Sequence, residues 1–241
     1  MLLGLASAAF SGPILRPLLS ATPLAEIRYG VSTAINLVDL AVLAAVILAL
    51  GGRDGRNLLA VSGLSAPIAR PALFAAAILG PLAATAALLA PVADDLDPIA
   101  LGMTGIAFPA MEEIGFRGLA IGALMRLCGW RFPPAALAPA ALFGLAHLAQ
   151  GDAPAEIAGV VAVTALGGLL FGWLFVRWGF NLWPPIFLHA GLNTAWSVFD
   201  LGDNAVGGWL GNALRLGAVA AAIGLTLLLS PRMKESKEPR V

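Results

Sequence analysis

Among the 241 residues stand one cysteine, two histidines and two lysines, and charged residues make up only 12% of the chain. The lone Cys128 excludes an intramolecular disulfide and a cysteine-rich metal site. A soluble domain carries about 25% charged residues. Here half that charge accompanies 59% hydrophobic residues and a mean hydropathy of +0.89. A chain of this size leaves much of its surface in water, so that apolar excess excludes a soluble enzyme. The same excess excludes a disordered chain, which needs low hydrophobicity. Lys plus Arg total 14 and Asp plus Glu total 14. Without a basic excess nothing points to nucleic acid. An HExxH zinc motif, a G-x-S-x-G nucleophile turn and an internal repeat are all absent. What remains is an all-α fold, a polytopic transmembrane helix bundle.

About 20 apolar residues cross roughly 30 Å of hydrocarbon. Eight segments qualify: 2–21, 31–51, 72–92, 98–127, 132–149, 155–176, 182–199 and 206–229. The first is interrupted by Pro13, Arg16 and Pro17. It lacks the positively charged start of a cleaved signal peptide and is read as a span. The turns alternate in sign. Arg53, Arg56, Arg70, Arg126, Arg131, Arg177 and the tail residues Arg232, Lys234, Lys237 and Arg240 fall on one set of turns. Asp94, Asp95, Asp97, Asp152, Glu156, Asp200 and Asp203 fall on the other. The positive-inside rule then places 53–71, 126–131, 177–180 and the tail in the cytoplasm. With eight spans both termini are cytoplasmic. Gly115, Gly118 and Gly122 on the fourth segment, and Gly168 and Gly172 on the sixth, are read as close-packing positions between helices.

The fourth segment carries charge where lipid penalises it. Glu112, Glu113 and Arg117 each cost about 2.5–3.5 kcal/mol on an insertion scale. At a spacing of four, Glu113 and Arg117 share a helix face and can pair. Glu112 points about 100° away, free for other work. Apolar surroundings make a carboxylate a better proton acceptor, which suits a general base. The two histidines extend the pattern. His147 ends the fifth segment, four residues after Phe143, and His189 lies in the seventh, four residues before Asn193. Polar groups inside a bilayer need partners, and these are nearest to hand for one another. Such a site could hydrolyse a carbonyl compound. Glu112 and His147 would hold and deprotonate a water, while His189 and Asn193 would donate to the oxyanion. Alternatively Glu112, His147 and His189 would ligate a zinc ion that activates the water. A proton-coupled transporter is a further reading, without the two-half repeat many transporters show. Weaker signals get structural readings. Asn36 and Asp39 line a cavity or pair with Arg16, and Arg215 pairs or snorkels. Trp173, Trp178, Trp183, Trp196 and Trp209 mark the membrane interfaces. Cys128 is read as a small buried hydrophobe.

The three patterns EEIGFRG, FGLAH and HAGLN resemble the motifs EExxxR, FxxxH and HxxxN of the CAAX-protease and bacteriocin-processing (CPBP, or Abi) family. Here they stand as Glu112-Glu113…Arg117, Phe143…His147 and His189…Asn193, and the resemblance spans about residues 98–200. It implies an eight-helix intramembrane endopeptidase similar to the type II CAAX prenyl proteases. Glu112 and His147 would activate water, His189 and Asn193 would form the oxyanion site, and Glu113, Arg117 and Phe143 would support them. It also implies a division into N-terminal transmembrane helices (1–97), a catalytic core (98–200), a last helix (201–230) and a charged cytoplasmic tail (231–241). The family leaves zinc and a metal-free route both open, and the second is favoured. Family members also serve as scaffolds or bacteriocin self-immunity proteins. Abundant Ala, Gly and Arg with scarce Lys suggest a prokaryote of high genomic GC, in its cell membrane, where CAAX substrates are not expected. The expected partners are lipid and a peptide or membrane-protein substrate. One tension follows from straight spans: His147 would sit nearer the outer face and His189 nearer the inner, about 10 Å apart in depth. Helices that start deep or tilt would close it.

Overall fold

The computed structural model describes residues 2–51, 57–202 and 206–229. Arg53, Arg56, Asp203 and the whole tail lie outside the described residues, so the charge alternation is only partly represented. Among the described residues nine helices run in chain order: α1 Leu2–Ser20, α2 Gly30–Leu50, α3 Leu58–Ser62, α4 Ala69–Leu89, α5 Pro98–Arg126, α6 Phe132–Leu145, α7 Pro154–Arg177, α8 Trp183–Val198 and α9 Trp209–Leu229. Of these, α2, α4, α5, α7 and α9 are long and apolar enough to cross a membrane. The chain is an all-α polytopic bundle, and an isolated antiparallel bridge, Val92 to Phe199, ties two loops.

Where helices start follows from local chemistry. Asp97 caps α5 by accepting the Ile99 N–H at 2.9 Å, and Pro98 takes the first helical position, where no N–H is needed. Arg28 pairs with the same carboxylate from the α1–α2 turn. Desolvation pushes Asp97 up. The N–H groups of Ile99 and Ala100 and the Arg28 guanidinium outweigh it and hold the carboxyl below the usual aspartate range.

Helix α5 is not a uniform α-helix. Two π-helical stretches, Leu101–Ala107 and Glu113–Ile121, flank a single α-turn, Phe108–Glu112. Pro109 has no N–H to give to the preceding turn. The carbonyls of Thr104 and Gly105 accept instead from α8, from Asn193 Nδ2 at 3.4 Å and Thr194 Oγ1 at 3.5 Å. Such widened turns recur at functional sites. Here the second one carries Glu113 and Arg117.

Helix α6 has 14 residues and α8 has 16. At 1.5 Å per residue these are about 21 and 24 Å long, short of the hydrocarbon thickness. The fifth span was expected over 132–149. It stops at Leu145, and His147 begins a short 3₁₀ turn, Leu148–Gln150. The N-terminal end of α8 is also set into the protein. Leu182 is fully buried and its N–H reaches Gly63 O at 3.4 Å. Asn181 Nδ2 donates to Pro67 O at 2.8 Å, and Trp183 Nε1 to Leu64 O at 3.2 Å.

The segment after α3 is therefore a clamp on the α7–α8 turn. Gly63 sits at φ +79°, in the left-handed region, and an added Cβ would fall on the Phe180 carbonyl oxygen. Gly63→Ala should cost at least about 2 kcal/mol from the left-handed backbone and the clash together. A lowered thermal midpoint of the detergent-solubilised protein would record it.

Two structural expectations need correction. Cys128 is exposed rather than buried, because α5 ends at Arg126 and the Cys128 N–H folds back onto Ala123 O. Asp39 takes Ser11 Oγ as its partner at 3.0 Å, not Arg16, because α1 packs alongside α2 at that level. Arg215 lies over the Trp196 ring at 4.6 Å and donates to Asn212 Oδ1 at 2.8 Å. Trp178 donates to Thr226 Oγ1 at 3.1 Å, so with Trp183 it ties helices together besides any interfacial role.

Candidate active site

The two adjacent glutamates of α5 have different surroundings. Glu113 is fully buried. Its Oε1 lies 3.0 Å from Arg117 Nη1 and 2.8 Å from His189 Nδ1. The Arg117 contact is an ion pair off the hydrogen-bond direction, so Nη1 and Nη2 have no aligned acceptor among the described residues. The Glu113 Oε2 also has no hydrogen-bond donor among them. Aromatic faces fill part of that gap. The Arg117 guanidinium carbon lies 4.4 Å from the Phe143 ring centre and 5.7 Å from that of Phe171. Cation–π attraction is strongest where water is excluded, and Arg117 is 1% exposed.

Glu112 stands apart from this pair. Its side chain keeps 27% exposure, and Oε2 lies 3.8 Å from His189 Nε2, beyond hydrogen-bond distance. His189 thus faces both carboxylates with different nitrogens. It donates Nδ1–H to Glu113 and turns Nε2 to Glu112.

His147 is oriented by the end of its own helix. Its Nδ1 lies 2.7 Å from Phe143 O. A carbonyl only accepts, so Nδ1 carries the hydrogen and donates. This satisfies one of the carbonyls left open at a helix C-terminus. The neutral ring then has an unprotonated Nε2, free to accept from a water. Phe143 is the hinge of the site. Its ring lies 4.7 Å from His147, 6.3 Å from His189 and 5.0 Å from Phe116. Both histidines therefore flank one buried ring. Short α6 ends at the level of the site, and α8 starts deep in the protein.

The structure gathers Glu112, Glu113, Arg117, Phe143, His147 and His189. Asn193 lies one turn beyond His189 on α8, where its Nδ2 is held by Thr104 O. A zinc ion held by Glu112, His147 and His189 would need three donors around one point. Among the described residues no three His, Cys, Asp or Glu side chains are so grouped. Surface hollows at Trp130–Pro134 and between α6 and α7 are almost wholly apolar and hold none of these residues.

Sequence reasoning missed Phe171. It sits three residues after Gly168, in the glycine-rich run of α7, and packs on both Arg117 and His189. The close-packing reading of Gly168 and Gly172 was the available signal. It marked α7 as near a neighbour without saying which side chain used the approach.

Residues 94–195 match the model of the family described as type II CAAX prenyl endopeptidase Rce1-like. A Bacillus subtilis (strain 168) protein named as a membrane peptidase, YdiL, is 31% identical over 104 residues. That alignment covers 43% of this chain and 38% of the relative's length. No solved structure matches the chain. Both matches support the resemblance drawn from the three motifs, and the family match falls on the segment that carries them.

Proposed function

We infer that residues 94–195, the stretch similar to the Rce1-like type II CAAX prenyl endopeptidases, form the hydrolytic core of an intramembrane endopeptidase. The observation that carries this reading is the division between adjacent carboxylates. Glu113 is sealed in an ion pair and anchors His189, while Glu112 stays partly open beside the His189 Nε2. A structural staple explains the first and not the second.

In this mechanism a water sits between Glu112 and His147 Nε2. Glu112 takes its proton as the hydroxide oxygen bonds to the substrate carbonyl carbon. The carbonyl π electrons move to oxygen, and that oxyanion accepts hydrogen bonds from His189 and Asn193. Collapse breaks the C–N bond, and the proton held by Glu112 passes to the leaving amine. For His189 to donate from Nε2, it must carry a proton there while Nδ1–H stays on Glu113. The charges then balance, with Glu112 and Glu113 negative and Arg117 and His189 positive. No step requires a metal. The substrate is a peptide or membrane protein presented within the bilayer of a prokaryotic cell membrane, and CAAX termini are not expected there. The tail is cytoplasmic in this reading.

The test compares membrane-protein termini in host cells carrying wild type or His147→Gln at matched folded abundance. New termini seen only with wild type are expected, and the residues beside them give the substrate class. Identical termini in both would overturn the protease reading.

A further inference from the structure

The Glu113 anchor restrains the His189 ring through one atom, Nδ1. The terminal torsion of a histidine is broad, and a hydrogen bond weakens steeply only below about 120°, so the anchor alone leaves a range of ring tilts. Phe143 meets it edge-on, at 6.3 Å and 86°. Phe171 lies across its face, with ring centres 5.4 Å apart and planes 31° from parallel. Phe171 is 7% exposed and also packs on the Arg117 guanidinium. Gly168, nearly one turn earlier on α7, makes this approach possible. A Cβ there would meet Ala140 at 3.2 Å and Arg117 Nη2 at 3.4 Å.

We propose that Phe171 is a positioning residue whose ring, laid across His189 and against Arg117, sets the imidazole plane so that Nε2 faces Glu112. It acts through His189 and touches no substrate. The proposal rests on the reading of His189 as the oxyanion donor, yet its geometry can be measured without any cleavage.

The chain has only two histidines. Nitrogen-15 imidazole spectra of the full chain in detergent therefore contain two rings, and His147→Gln identifies which is which. Phe171→Leu is expected to shift and broaden the His189 ring signals and to leave those of His147 in place, while Phe171→Tyr restores the wild-type His189 positions. Phe171→Met has no ring face and a flexible side chain that adapts to the gap, and it repeats the measurement if the leucine variant does not fold. A single sharp His189 set in the folded Leu or Met variant, moved only by the small uniform displacement that loss of a neighbouring ring current gives, would overturn the proposal. Broadened or multiple His189 signals support it whatever the terminus comparison shows. Failure of that comparison removes the protease reading alone.

Discussion

Replacing Glu112 by Gln should lower turnover by about 10²–10⁴-fold, the range expected for loss of a general base. The change keeps the shape and removes the proton acceptor. The thermal midpoint should move little. Glu112 is partly exposed, and its contact with His189 is 3.8 Å long, so no buried partner is stranded. Glu112→Asp separates chemistry from reach. It keeps the acid and withdraws it by one methylene, and a misplacement on the order of 1 Å can cost about 100-fold. Turnover of the solubilised protein on a substrate found by terminus mapping is the measurement. A Gln variant that turns over at the wild-type rate would remove Glu112 from the mechanism.

Helix positions were legible because bilayer thickness and hydropathy are both linear along the chain. Among the described residues, every helix except α3 falls within a few residues of a segment read from hydropathy. The place where α6 stops was less legible. Residues 146–149 are nearly as apolar as those before them, and what ends the helix is local geometry: the His147 Nδ1–H taking the Phe143 carbonyl. The π-helical stretches of α5 left no mark in composition. They depend on Pro109 and on acceptors supplied to Asn193 and Thr194 from 89 residues away in sequence. The Glu113–Arg117 pair was readable because both partners lie on one element, four residues apart. Phe171 was not, since its neighbours His189 and Arg117 come from other helices. Asp39 shows the same limit. A charge in a helix advertises the need for a partner, and only packing chooses Ser11 over Arg16.

Breaking the Glu113–Arg117 pair from either side should be costly, and breaking it from both sides should cost less than the two losses added together. Arg117→Met leaves a fully buried carboxylate with His189 as its remaining partner. Glu113→Gln leaves a guanidinium between Phe143 and Phe171 without its counter-charge. Each should destabilise by about 3–5 kcal/mol, the usual result of stranding one buried charge. The double variant removes both charges. Its cost should fall below the sum of the singles by roughly 1–3 kcal/mol of coupling, readable from denaturation of the four proteins in one detergent. Activity should not follow stability back. The Glu113→Gln amide offers His189 Nδ1 only a neutral acceptor in place of the carboxylate, and the double variant should fold while remaining inactive. Arg117→Lys should resemble Arg117→Met more than wild type, because an ammonium lacks the planar face that packs between two rings. Additive costs across the cycle would mean that the two charges do not depend on each other, and that Glu113 serves His189 alone.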